Sequence, residues 1–199
     1  MKILFTALVC LLPLLSVAAI PEDPTEVNPV EVGSTVPDIQ LTTSSGTQVA
    51  LRELVAKQPT IIIFYRGGWC PYCNRHLAAL GEIEAELLDK GYQIIAISPD
   101  RIEKVREVAN EADYHYQLYS DSTMEAAIAF GLAFKVDSET YKKLEGYGID
   151  LELASGEDHH LLPVPAVFIV ERDGRISFRY FNPDYTERLS TEALLETIN

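Results

Sequence analysis

Hydrophobic and polar positions along the chain follow two different periods. Thr60-Ile61-Ile62-Ile63-Phe64-Tyr65 is an unbroken β-branched and aromatic run, the pattern of a strand covered on both faces. Residues 92–98 repeat that pattern. Between them the period lengthens. Cys73, Leu77, Leu80, Ile83 and Leu87 recur at three- and four-residue steps, which predicts a helix over residues 71–90. Pro71 suits its first position, where no N–H is needed, and Lys90-Gly91 marks its end. Residues 101–112 carry a second helical stripe through Ile102, Val105, Val108 and Ala109. Ser122 and Glu125 have the spacing of a capping box for a helix ending near Gly131. Segments 38–41 and 47–51 flank Ser44-Ser45-Gly46 as a small hairpin, and 167–170 and 176–180 flank Asp173-Gly174 as another. Residues 190–198 form a last amphipathic helix.

The order is β-α-β-α followed by α-β-β-α. The first half requires parallel strands with right-handed crossovers, and the second adds an antiparallel edge. The expectation is a single α/β domain over residues 32–199, with a mixed central sheet flanked by helices. The segment 135–162 fits least well. It carries Gly146, Gly148 and Gly156, the aromatics Tyr141 and Tyr147, and a helix-like stretch at 138–144. It reads either as a functional loop or as a loosely ordered connection.

The ends of the chain add a compartment. Lys2, an apolar run to Leu15 and the small residues Ser16-Val17-Ala18-Ala19 make a secretory signal pattern over residues 1–19, cut after Ala18 or Ala19. The run is short for a bilayer span and Pro13 interrupts it, which disfavours an uncleaved anchor. Residues 20–31 are polar and Pro-rich and read as a flexible linker. The mature chain is therefore expected to be secreted or periplasmic, without stable membrane insertion.

Composition narrows the function. The formal net charge is −14, which disfavours nucleic-acid binding. Three cysteines are too few for a disulfide scaffold, and Cys10 leaves with the leader. The remaining pair, Cys70 and Cys73, opens the first long helix directly after a buried strand and a two-glycine turn. A helix N-terminus carries unsatisfied N–H groups and partial positive charge, which favour a thiolate. Arg66 and Arg75 would add to that field. The thiolate is the nucleophile, and two intervening residues let one sulfur resolve a mixed disulfide or sulfenic acid formed on the other. Cys73 lies on the apolar stripe and is expected buried. Cys70 precedes Pro71 at the mouth of the helix and is expected exposed, as the attacker.

Other readings of the pair are weaker. A structural disulfide would close a very small loop, where the stabilisation is least. Zinc needs about four ligands, and Cys70, Cys73 and His76 leave one missing. No metal or organic cofactor is required. Trp69 and Tyr72 serve either as an apolar docking rim or as packing for the loop. His159-His160 suggests a metal or proton-transfer pair, but beside Glu157-Asp158 a solvated loop is the simpler reading. His115 also reads as a surface residue.

The segment Phe64-Tyr65-Arg66-Gly67-Gly68-Trp69-Cys70-Pro71-Tyr72-Cys73-Asn74 resembles the peroxiredoxin-like branch of the alkyl hydroperoxide reductase and thiol-specific antioxidant superfamily, which has a thioredoxin fold. The resemblance extends through Val36-Pro37-Asp38, the hairpin at 162–176, and Asn182-Pro183-Asp184-Tyr185-Thr186 with Arg188. It implies an antioxidant or oxidoreductase role through a redox-active pair that closes to a Cys70–Cys73 disulfide. The departures matter. In the family's Pro-x-x-x-Thr/Ser-x-x-Cys motif the peroxidatic cysteine falls on Cys73, the Thr position on Cys70 and the Pro position on Arg66. The late-strand Arg position falls near Pro165. Pro165 instead matches the cis-proline beside the cysteines of thioredoxins, where it would shape a partner-docking groove.

The resemblance and the residues together favour dithiol–disulfide exchange, with Cys70 attacking, Cys73 resolving, and Arg66, Trp69, Pro71, Tyr72 and Pro165 in support. Two alternatives remain: a hydroperoxide reductase with Cys73 peroxidatic and Cys70 resolving, and a non-catalytic binding domain with a permanent disulfide. The expected partners are a protein disulfide or hydroperoxide and an external thiol reductant.

Overall fold

The computed structural model describes residues 19–198, so all of the expected leader except Ala19 lies outside the described residues. The hairpin β1 (Gln40–Thr43) and β2 (Gln48–Ala50) leads into helix α1 (Leu51–Lys57). The buried run at residue 60 forms β3 (Thr60–Phe64), followed by α2 (Pro71–Glu82), α3 (Glu84–Asp89), β4 (Gln93–Ser98), α4 (Ile102–Glu111), β5 (Gln117–Ser120) and α5 (Glu125–Ala129). A smaller region holds β6 (Ala133–Lys135), α6 (Ser138–Gly146), α7 (Leu151–Ser155) and β7 (Leu161–Pro163). The chain closes with the hairpin β8 (Ala166–Val170) and β9 (Ile176–Phe181) and helix α8 (Thr191–Thr197).

Seven strands form one mixed sheet in the order β2-β1-β5-β4-β3-β8-β9. β3 runs parallel to β4 and antiparallel to β8, and β4 runs parallel to β5. Its central place explains its composition: all five residues of β3 are buried. Side chains alternate across a strand. Ile62 and Phe64 accordingly pack with Leu51, Val55, Ala127 and Phe130, while Ile61 and Ile63 pack with Leu77, Leu80, Val105 and Leu194. Helices therefore cover both faces. Burying each of these isoleucines contributes about 1.5–3 kcal/mol. The second cluster also contains Cys70 and Cys73, so the candidate site is continuous with the core.

The structure changes several expectations. The helix over 71–90 is two helices. Ile83 leaves the helical range at ψ 2°, and its N–H turns back to Leu80 and Gly81. Gly81 and β-branched Ile83 are both poor helix formers, which places the break there. The Ser122–Glu125 capping box does not form. The carboxylate of buried Asp121 instead accepts the N–H groups of Ala126 and Ala127, both at 2.9 Å.

The segment 20–31, expected as a flexible linker, lies against the domain. Ile20, Val27 and Val30 pack on the core. Lys135 donates its backbone N–H to Pro21 O, and Val30 donates its own to Phe130 O. Three apolar side chains spaced through a polar stretch account for the difference.

The segment 135–162 is ordered around its own cluster of Val136, Leu144, Leu151 and Leu162, with Trp69 packed against it. No helix among the described residues is long and apolar enough to cross a membrane.

Candidate active site

The site forms where β3 hands the chain to α2. Gly67 takes φ 143°, a conformation that disfavours a side chain, and Gly68 follows it. Cys70 is the N-cap of α2 and Pro71 its first residue. Cys70 donates its N–H to Gly67 O at 3.1 Å. Its Sγ accepts the N–H of Cys73 at 3.3 Å, as an N-cap oxygen would.

Both cysteines are free thiols. The Cys70 thiol is lowered to about 6, first by the hydrogen bond from the Cys73 thiol and then by the Cys73 N–H, Arg66 and Arg188, against the opposing effect of burial. The Cys73 thiol is pushed up by burial, and further by its hydrogen bond to Cys70. The environment thus favours the thiolate on Cys70 and the thiol on Cys73.

The expected exposure of Cys70 is not observed. Cys70 and Cys73 are each 1% exposed. Cys70 joins the apolar cluster of Cys73, and Trp69 and Tyr72 pack against that cluster. The loop before α2 therefore folds over the sulfur instead of presenting it.

Arg66 is buried, with its guanidinium 4.1 Å from the Tyr185 ring centre and 5.1 Å from that of Trp69. Its Nε is buried without a hydrogen-bond partner. Burial lowers its pKa, while both cysteines act to keep it charged. Tyr72 meets Tyr185 edge-on, with centroids 5.8 Å apart.

The second cation is not the expected Arg75, which lies over the Tyr72 ring at 5.6 Å. It is Arg188, whose Nη2 lies 3.5 Å from Cys73 Sγ. Arg188 Nη1 donates to the carbonyls of Tyr185 and Glu187, which fixes its reach. His76 is buried beside this group. Burial, and then Arg188, lowers it to about 4, so it is neutral at pH 7. A cleft of about 300 Å³ opens here, lined by Tyr72, Arg75, His76 and Arg188 among others.

Pro165 departs from expectation. There is no cis peptide bond among the described residues. Pro165 is buried between β7 and β8, and its carbonyl accepts the N–H of Asn182 at 3.2 Å.

The histidine pair is also accounted for. His159 accepts the Leu161 N–H on Nδ1, so its Nε2 donates to Ser122 O at 2.8 Å. His160 stacks on Tyr141 and bonds Glu152. Among the described residues, no group of three or more His, Cys, Asp and Glu is arranged to hold a metal ion.

Sequence reasoning did not single out Arg188 as a site residue, nor Asp100, whose carboxylate accepts the Gly68 N–H at 2.7 Å. Arg188 could be found only through its place in the family-like segment after Asn182.

Known proteins share the fold of this chain. Residues 32–179 match the model of the AhpC/TSA family. A thiol-disulfide oxidoreductase ResA of Bacillus thuringiensis is 22% identical over 162 residues, covering 80% of this chain and 75% of that protein. A putative peroxiredoxin bcp of Helicobacter pylori is 23% identical over 153 residues, covering 77% and 89%. Among solved structures, peroxidoxin BcpB of Mycobacterium tuberculosis superposes with a TM-score of 0.65 at 21% identity, covering 85% of this chain and 96% of that one. Reduced Prx3 of Vibrio vulnificus in complex with hydrogen peroxide gives 0.70 at 16% identity, covering 85% and 99%. A paired-thiol site on a mixed sheet of thioredoxin type, within a sequence matched over most of its length, makes this chain a thiol oxidoreductase of the AhpC/TSA family.

Proposed function

We propose that the protein is an extracytoplasmic dithiol–disulfide oxidoreductase that works through Cys70 and Cys73. The observation that carries this reading is the placement of the two free thiols: Cys70 caps the N-terminus of α2 and its Sγ accepts the Cys73 N–H at 3.3 Å, which favours the thiolate on Cys70 over Cys73. The Cys70 thiolate attacks one sulfur of a substrate disulfide. A Cys70–substrate mixed disulfide forms, and the other substrate sulfur leaves as a thiolate that takes up a proton. Cys73 then loses its proton and attacks Cys70 Sγ. The second substrate thiol leaves, and the Cys70–Cys73 disulfide holds the two electron equivalents of oxidation. An external thiol reductant returns it to the dithiol. Arg66 and Arg188 stabilise the anionic sulfur at each stage, while Trp69 and Tyr72 pack the loop. Pro165, immediately before β8, would help to shape the groove against which a partner docks. The compartment rests on the leader pattern at residues 1–19.

One observation favours a second reading. Arg188 sits on Cys73 rather than on Cys70. In a hydroperoxide reductase, a Cys73 thiolate would attack the terminal peroxide oxygen, forming a sulfenic acid and releasing water or an alcohol. Cys70 would then condense with that sulfenic acid, releasing water and forming the same disulfide.

Turnover of the chain from Ile20 onward separates these readings. Wild type, Cys70→Ser and Cys73→Ser are each given a protein disulfide or hydrogen peroxide with one dithiol reductant. The proposal expects Cys70→Ser to abolish disulfide reduction, and peroxide to be consumed no faster than by free thiol. Rapid peroxide turnover that Cys73→Ser abolishes, with sulfenic acid still forming in Cys70→Ser, would establish the peroxidase. Thiols that never cycle in the wild type would leave a binding domain with a permanent disulfide.

A further inference from the structure

The loop that delivers Cys70 is held from outside. Asp100 stands two residues beyond Ser98, the last residue of β4, and is 1% exposed. Its Oδ2 accepts the Gly68 N–H at 2.7 Å and the Ser98 hydroxyl at 3.0 Å. The Asp100 carbonyl accepts the Ser120 hydroxyl at 2.6 Å, so the carboxylate is anchored to two central strands. The carbonyl of Gly68 accepts Asn74 Nδ2 at 2.8 Å, from the first turns of α2. Gly68 is thus gripped on both sides, through its N–H by the sheet and through its C=O by the helix. The next hydrogen bond along the chain joins Cys70 N–H to Gly67 O. The carboxylate fits closely: a Cβ on Gly67 would lie 2.9 Å from Asp100 Oδ1.

We propose that Asp100 is a positioning residue, which by gripping Gly68 holds the Cys70 sulfur at the N-terminus of α2. The inference rests on Cys70 being the nucleophile. Positioning and simple electrostatics predict opposite signs. A nearby carboxylate disfavours a thiolate, so removing its charge alone lowers the Cys70 pKa. Losing the grip on the loop releases the sulfur from the helix N-terminus and from the Cys73 N–H, which raises it.

The experiment is alkylation by iodoacetamide across pH, with the modified cysteine identified by peptide mass spectrometry. Asp100→Ala should raise the Cys70 pKa by about one unit and slow alkylation near neutral pH about tenfold. Asp100→Asn keeps an oxygen that accepts the Gly68 N–H, and should restore the rate to within about threefold. Asn74→Ala releases the other side of Gly68 from a helix-surface position. It should shift the pKa upward by a smaller amount, and it tests the grip even if Asp100→Ala fails to fold. A Cys70 pKa that is unchanged or lower in both alanine variants overturns the inference and leaves the proposed function standing. Alkylation of Cys73 ahead of Cys70 in the wild type overturns both.

Discussion

Arg188 Nη2 reaches 3.5 Å from Cys73 Sγ across 115 residues of chain. The cation also acts on the Cys70 thiol, with Arg66. Two guanidiniums beside the sulfurs of a strongly acidic protein are a local reversal of charge. An opposite charge within a few ångströms favours the ionised form.

Arg188→Gln removes one of these charges while keeping a polar side chain. The Cys70 pKa should rise by up to about one unit, and exchange near neutral pH should slow by about three- to tenfold. His76, which Arg188 helps hold low, should titrate at a higher pH. NMR titration of the His76 ring and alkylation kinetics of Cys70 read the two effects separately. If neither moves, Arg188 is not part of the electrostatic setting of the thiols.

The pH dependence follows from the unequal pair. Alkylation of Cys70 should rise with pH through a midpoint at about 6. Stability is linked to the same proton. The folded value lies below the ordinary 9.0, so the unfolded chain holds more protons between about 6 and 9. The reduced protein therefore gains stability as pH rises through that window. Cys73 is raised by burial and opposes the gain only at more alkaline pH. In the disulfide form neither sulfur titrates, while Asp100, Asp121 and His76 titrate in both forms. The urea midpoint of the reduced protein should thus rise relative to the oxidised one across pH 6 to 9. A constant difference across that range would mean that Cys70 is not ionised early.

The parts of this site legible in the sequence are those set by local pattern. The run from Thr60 to Tyr65 has no polar interruption, so it could lie only between covered faces. Pro71 after Cys70 fixes the start of α2, and with it the Cys-x-x-Cys geometry. The exposure of Cys70 is not legible there, because it depends on tertiary cover. Local position at a helix mouth says nothing of Arg66 folding between Trp69 and Tyr185. Arg188 and Asp100 reach the loop from distant segments, and no periodicity connects them to it. The segment 20–31 differs for another reason: its composition is polar on average, but Ile20, Val27 and Val30 are the positions that pack on the core.

Gly67 should tolerate substitution poorly. Its φ is 143°, and an added Cβ would meet Trp69 Nε1 at 2.4 Å and Asp100 Oδ1 at 2.9 Å. Gly67→Ala should cost about 1–3 kcal/mol of stability and slow Cys70 alkylation as the loop shifts. Gly33 is the control. Its φ is 92°, but nothing lies within 4 Å of its added Cβ. Gly33→Ala should cost stability through backbone strain alone and leave the Cys70 thiol unchanged. Equal thiol reactivity in the two variants would show that the Gly67 turn does not place the sulfur.

Access to Cys70 is the last question that the geometry poses. A cysteine whose residue is 1% exposed cannot meet a protein disulfide without movement of its cover. Trp69 and Tyr72 pack against the cluster that holds Cys70, and Tyr185, itself 42% exposed, backs them, stacked on Arg66 and edge-on to Tyr72. Tyr185 sits in the connection between β9 and α8, where Asp184 accepts from the N–H and hydroxyl of Thr186. Loop side chains of this kind exchange positions faster than packed strands. Removing the ring has two effects on Cys70. The cover opens, and Arg66 becomes better hydrated, which weakens its hold on the thiolate. The second effect acts equally on reagents of every size, whereas the first favours large ones. The ratio of rates for a bulky maleimide and for iodoacetamide therefore isolates access. In Tyr185→Ala this ratio should rise severalfold over wild type, even if the Cys70 pKa drifts upward. An unchanged ratio would place the gate elsewhere, with Trp69, the other ring against Arg66, as the next side chain to truncate.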